Sequence, residues 1–321
     1  MDLLSDIVAG IRIGLPRSSR ITWHAPWAQR FPAAPGSAGF QVILQGSCWL
    51  LPEGGDPIPL SVGDVVFFPH GHGCVLADSP STPVPRTDCD PGEETALFGS
   101  ASMAGPGAAT VTLCGGYRLD DARTHPILRN LPDLIHLPAR LGHHQELRTA
   151  IDLLAAEIAS PRPGADTVVA SLLDMLLLFI LRAYITTEPE RCTVSGWSAA
   201  LADPGISAAL DAVHRDPAHP WTVASLADLA GLSRAAFSRR FSVLVGQPPL
   251  GYLTWWRLGT AARLLRSTDA PLSEVATRVG YGSEFAFANA FKRQYGRAPG
   301  RFRRASGPVT TGAGERAAGP G

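Results

Sequence analysis

His70, His72 and Cys74 stand at alternate positions in the run Pro69-His-Gly-His-Gly-Cys74, and Cys114 follows on a later segment. Imidazole and thiolate are ligands that zinc accepts in tetrahedral sites, so these four groups could hold that ion. The two thiols could instead form a redox centre, since reactivity follows the thiolate. A third reading keeps Cys74 and Cys114 as small buried hydrophobes, with His70 and His72 on a loop. Nearby, Trp23, Trp27, Phe31, Phe40 and Trp49 are candidates to line a small-molecule site. Aromatic residues at such spacings also serve as plain core.

The surrounding pattern says what must position these groups. Phe40–Leu44, Ser47–Leu51, Val65–Phe68 and Ala109–Cys114 are apolar runs bounded by turn residues such as Gln45-Gly46, Pro52-Glu-Gly-Gly and Ser61-Val-Gly-Asp64. Short strands at this spacing predict a sandwich or small barrel. Residues 78–108 are rich in Pro, Gly, Ser and Asp and read as a long loop. Leu147, Ile151, Leu154 and Ile158 then recur on one helical face, ended by Pro161-Arg-Pro-Gly164. Val168–Ile185 is apolar nearly all round but contains Asp174 and Arg182, so a buried or dimer-forming helix is expected rather than a membrane span.

Charge divides the chain. The 321 residues have a formal net charge of +0. Residues 205–304 hold 14 Lys+Arg against 6 Asp+Glu, while residues 1–204 hold 13 Arg against 21 Asp+Glu. A basic segment of this kind is the electrostatic footprint of nucleic-acid binding, and the neutral total conceals it. Five cysteines are too few for a disulfide scaffold, and the first residues lack the basic and apolar regions of a signal peptide. A cytoplasmic setting is expected.

Two segments in the basic region repeat one another. Ala227, Gly231, Ser233, Phe237 and Phe241 in the first match Ala276, Gly280, Ser283, Phe287 and Phe291 in the second. The small Ala permits a close helix crossing, the Gly makes the turn, and the Ser caps the next helix. The Phe pair, four residues apart, anchors that helix and leaves its other faces open to a major groove. Between the copies, Tyr252–Leu265 reads as one long helix. Two recognition helices on such a connector could read successive major-groove faces about 34 Å apart.

The second copy with its tail, Gly280-Tyr281…Phe287…Phe291-Lys292-Arg293…Tyr295-Gly296…Pro299…Arg301, resembles the signature of AraC/XylS-type transcriptional regulators. By position, the resemblance implies DNA contacts from Arg234, Ala235, Ser238 and Arg239 of the first recognition helix. It implies Glu284, Phe285, Ala288 and Asn289 from the second. Arg239 is suited to guanine and Asn289 to adenine. Arg240, Lys292 and Arg293 are expected on phosphates.

Gly63…Pro69-x-Gly71-x-x-Cys74 is similar to the second cupin motif, with Cys74 where His is usual. Gly39–Trp49, Cys114-Gly-Gly-Tyr117, His125-Pro126 and Leu137-Pro138 extend the likeness to the cupin sensor domain of one AraC subgroup, some of whose members sense oxidants through cysteine. Metal-dependent cupin enzymes carry H-x-H in the first motif. Here that motif offers Gln41 and Cys48, so no enzyme activity is expected.

The fold class expected is α+β. It comprises a cupin-like β-barrel over residues 1–140, a helical dimerisation segment over 141–190, a linker over 191–204, an all-α tandem helix-turn-helix domain over 205–304 and a disordered tail over 305–321. Double-stranded DNA, RNA polymerase, a second copy of the chain and a small-molecule, metal or oxidant effector are the partners this organisation implies, with zinc the candidate ion and no membrane. The alternatives are a cupin enzyme with a DNA-binding appendage and a constitutive DNA-binding protein with a vestigial sensor.

Overall fold

The computed structural model describes residues 15–84, 96–119, 125–140, 142–187 and 196–306. It divides into two compact units, one of residues 1–211 with 223–249 and one of 212–222 with 250–321.

The first unit begins with the strands β1 (Arg17–His24), β2 (Ala28–Phe31), β3 (Ser37–Gln45), β4 (Ser47–Leu51), β5 (Ile58–Ser61), β6 (Val65–Phe68), β7 (Cys74–Ala77), β8 (Phe98–Met103), β9 (Ala109–Arg118) and β10 (Ile135–Leu137). They form a six-stranded sheet of order β10-β6-β3-β9-β1-β8 and a four-stranded sheet of order β2-β7-β4-β5. Only the β1–β8 pairing runs parallel among the described strands. The expected strands are all present: β4 alternates in burial with the two-residue period of a half-buried strand, while β6 is buried at every position. The loop expected over 78–108 needs correction. It contains β8, an edge strand of small and polar residues that is largely exposed, so no apolar alternation marks it in the sequence.

The described helices of this unit are α1 (Pro126–Arg129), α2 (Gln145–Ala159), α3 (Ala165–Thr187), α4 (Trp197–Ala202), α5 (Pro204–Arg215), α6 (Val223–Leu229) and α7 (Arg234–Val245), with the end of α5 passing into the second unit. Leu147, Ile151, Leu154 and Ile158 of α2 are all buried, as their spacing requires. α3 is long and apolar enough to cross a membrane by length and composition. Its Leu173, Leu176 and Ile180 face protein, however, while Val168 and Met175 lie outward. At mid-helix the Tyr117 hydroxyl of β9 donates to the Leu173 carbonyl at 2.6 Å.

The second unit contains α8 (Pro249–Ser267), the long helix expected after the first repeat, then α9 (Leu272–Arg278), α10 (Glu284–Tyr295) and α11 (Pro299–Ser306). Its core joins Leu258, Ala262, Val275, Phe287, Phe291 and Phe302.

Candidate nucleic-acid interface and sensor interior

The two repeats fold alike in detail. Gly231 and Gly280 adopt φ of +66° and +81°, which favours the residue without a Cβ. Just beyond each turn, Leu232 and Tyr281 donate their N–H groups to the carbonyls of Ala227 and Ala276, both at 2.9 Å. Ser233 then caps α7 by accepting from the Ala236 N–H at 3.3 Å, and Ser283 caps α10 by accepting from the Ala286 N–H at 3.2 Å. Phe237 and Phe241 are buried behind α7, and Phe287 and Phe291 behind α10. Gly246 and Gly296 close both helices in the left-handed region.

This packing leaves one face of each helix outward. On α7, Arg234, Ala235, Arg239 and Arg240 are exposed and Ser238 is half-buried. On α10, Glu284, Phe285, Asn289, Lys292 and Arg293 are exposed and Ala288 is half-buried. Phe285 is 78% exposed, a position that hydrophobic burial does not explain. Arg234 occupies the first position of α7, at the positive end of the helix macrodipole, where a cation is unfavourable. Lys292 and Arg293 lie in the last turn of α10, where cations are favoured. Arg240 is engaged within the chain: its Nε lies 2.5 Å from Oδ2 of Asp203. Sequence spacing gave no sign of that pair.

Inside the β-domain, Trp23 and Trp27 stack at 4.8 Å between ring centroids. They share a buried cluster with Ile43, Cys48, Leu50, Val66 and Cys74, against which Phe31 and Cys114 pack. Two of the expected lining residues are not part of it. Phe40 alternates with Ile43 to the other face of β3 and packs on Tyr117. Trp49 lies between the inward Cys48 and Leu50 and faces out of the cluster. The strand period of two turns both side chains away from the cluster.

Gln41 has the same parity as Ile43 and pairs in register with Cys114 and Val66. Its Oε1 is buried without a hydrogen-bond partner, and so is Nε1 of Trp27. A buried polar atom left unpaired costs about 1–3 kcal/mol. The thiols are quiescent there. Burial pushes both Cys48 and Cys74 up to about 12, with the Asp64 carboxylate adding to the effect at Cys48 and the other thiols at Cys74. The Cys114 thiol donates to the Ser19 carbonyl at 3.5 Å.

The candidate metal set does not assemble. His70 Nε2 donates to the Leu131 carbonyl at 3.0 Å, and His72 Nδ1 lies 3.7 Å from an Asp133 oxygen. Both imidazoles are thus directed to residues 131–133, whereas Cys74 is buried in the interior cluster. Among the described residues no group of three or more His, Cys, Asp or Glu side chains is placed to hold a metal ion.

Comparison with known proteins follows this division. A family model described as a cupin matches residues 2–186, and one described as a helix-turn-helix domain matches residues 226–305. An AraC-like transcription regulator of Streptomyces lividans is 36% identical over 310 residues, covering 95% of this chain and 98% of that one. The RCS-specific transcriptional activator RclR of Escherichia coli K12 is 34% identical over 199 residues, covering 61% of this chain and 68% of its own. Among solved structures, the DNA-binding domain of AdpA in complex with a target DNA aligns over 32% of this chain and 92% of that chain, at 37% identity and a TM-score of 0.31.

Proposed function

The chain belongs to the AraC-type transcription regulators that carry a cupin domain ahead of a helix-turn-helix domain, and on that premise we propose which residues read DNA and which receive the signal. The protein is a sequence-specific DNA-binding regulator. α7 and α10 enter the major groove. Arg239 reads guanine, Asn289 reads adenine and Phe285 packs on a thymine methyl, the pairings that base-edge chemistry allows. Arg234, Glu284 and the small residues Ala235, Ser238 and Ala288 complete the reading faces, and Lys292 and Arg293 hold phosphates.

The observation that carries this reading is the matched pair of capped helices, each anchored by two buried Phe and each exposing polar, cationic or unexplained aromatic side chains. Footprinting on the upstream region of its own gene tests it. Protection over about two helical turns is expected, falling steeply with salt and lost in Arg239→Ala. No protection at low salt would overturn the assignment.

The signal enters the cupin interior as a small molecule whose polar groups satisfy Gln41 Oε1 and Trp27 Nε1. Burial holds Cys48 and Cys74 beside it as unreactive thiols, which favours a bound small molecule over an oxidant as the signal. Phenol offers a simple probe of that interior: a thermal shift present in the wild type and absent in Gln41→Leu is expected. The regulator acts in the cytoplasm without catalysis, recruits RNA polymerase and pairs as a homodimer through the outward stripe of α3 that includes Val168 and Met175. Size-exclusion chromatography of Met175→Glu, expected to elute as a monomer, tests the last point.

A further inference from the structure

Residues 125–134 connect the sensor interior with the first helix-turn-helix. At the inner end, Leu134 packs against the buried cluster that contains Trp27 and Cys74. β10 starts at the next residue and pairs with β6. His70 holds the Leu131 carbonyl and His72 faces Asp133, so the two imidazoles that make no metal site lash this stretch to the β6–β7 turn. Cys74, in the interior cluster, opens β7 directly after that turn.

At the outer end the stretch meets the first repeat. His125 is buried at the start of α1, and its Nδ1 accepts from the Ile127 N–H at 3.1 Å, which fixes the ring. The ring stands edge-on to Trp197, with 4.8 Å between centroids and 63° between planes. Trp197 is itself buried and begins α4, which packs on α7. Asn130, just after α1, reaches the glycine that ends α7: a Cβ on Gly246 would stand 3.3 Å from its Nδ2. The sensor thus touches α7 at its C-terminal end and through a helix packed on it.

We propose that this stretch is an autoinhibitory strap, by which the resting sensor holds the first helix-turn-helix and restrains it from DNA. The strap rests on the reading of α7 and α10 as the two DNA-reading helices. The first copy belongs to the same compact unit as the sensor, and the second copy belongs to the other. DNA sets the relation of α7 to α10 through the spacing of its grooves. The strap references α7 to the sensor instead. Whatever the strap contributes to the resting state is given up when α7 follows the groove, and that cost is read as lost affinity. A small molecule in the barrel that displaces Leu134 moves the strap at its inner end. It favours release by its difference in affinity for the two states.

Fluorescence anisotropy of the full chain on the DNA footprinted upstream of its own gene tests the proposal, beside hydrogen exchange without DNA. Trp197→Leu removes the aromatic pair and should bind about five-fold more tightly than wild type. Asn130→Ala removes only a few contacts and should bind about two-fold more tightly. Both should speed amide exchange over residues 197–202 and leave α10 as protected as before. Ser81→Ala, an exposed residue on the loop after β7, should change neither reading. Circular dichroism melts establish that the variants fold, and Asn130 is exposed, so its variant decides the matter even if Trp197→Leu unfolds. The strap is overturned if either folded variant binds DNA no more tightly than wild type, or if exchange over 197–202 stays the same. Failure of every chain to bind, wild type included, overturns the DNA reading itself and the strap with it.

Discussion

Arg240 Nε lies 2.5 Å from Oδ2 of Asp203, while Oδ1 of the same carboxylate accepts from the Gly205 and Ile206 N–H groups at 3.0 and 2.9 Å. One side chain therefore starts α5 and braces α7. Asp203→Ala removes both functions and should cost about 1–2 kcal/mol, the usual range for a lost helix cap. Asp203→Asn keeps an acceptor for the amides and should cost less. Urea denaturation of the two variants reads the difference. Because Arg240 is already paired, Arg240→Ala should lower the salt slope of DNA binding less than Lys292→Ala does, which should lower it by about one.

Arg239→Ala should weaken specific binding by about 1–3 kcal/mol and relax the preference at a single base pair. A binding-site selection with wild type and variant would show one position losing information. Uniform weakening across all sequences would instead place Arg239 on phosphate.

Phe285 and Phe287 stand two residues apart on α10 with opposite environments, one 78% exposed and the other fully buried. Phe287→Ala should destabilise the fold by about 3–5 kcal/mol. Phe285→Ala should leave the melting temperature unchanged within about a degree and reduce binding to the cognate site. Thermal melts paired with fluorescence anisotropy separate the two outcomes.

With their thiols near 12, Cys48 and Cys74 carry about one thiolate in ten thousand at pH 8. Neither should react with iodoacetamide in the native protein, and both should react in urea, as mass spectrometry can follow. The linkage has a definite sign. A thiol pKa raised on folding contributes stability that is fully present below the unfolded thiol value and is lost as pH rises through the folded value near 12. Wild type should lose stability above about pH 9 more steeply than Cys74→Ala.

The helix-turn-helix copies were legible because each step uses a residue with a single job: Ala227 to pack, Gly231 to turn, Ser233 to cap, Phe237 and Phe241 to anchor. Their second occurrence made the reading redundant. The β-domain was legible strand by strand but less so by face. Phe40 and Trp49 look like lining residues in composition, and only the parity of β3 and β4 turns them away from the cluster that contains Trp23 and Trp27. β8 escaped because an edge strand needs no apolar pattern. The Asp203–Arg240 and His125–Trp197 pairs depend on residues far apart in sequence, and no local period reports such meetings.

The bond from the Tyr117 hydroxyl to the Leu173 carbonyl fixes more than a contact. A helix turns about 100° for each residue, so slipping α3 by one position would carry that carbonyl away from the hydroxyl. The phase of α3 is therefore indexed to the sheet. Val168 and Met175 keep a set azimuth with respect to β9, so a homodimer of the kind proposed above would hold its barrels at a fixed dihedral. Tyr117→Phe would remove one hold on that phase while the buried Leu173, Leu176 and Ile180 keep the helix in place, so in the proposed dimer it should broaden the tolerated spacing of half-sites before it weakens either domain.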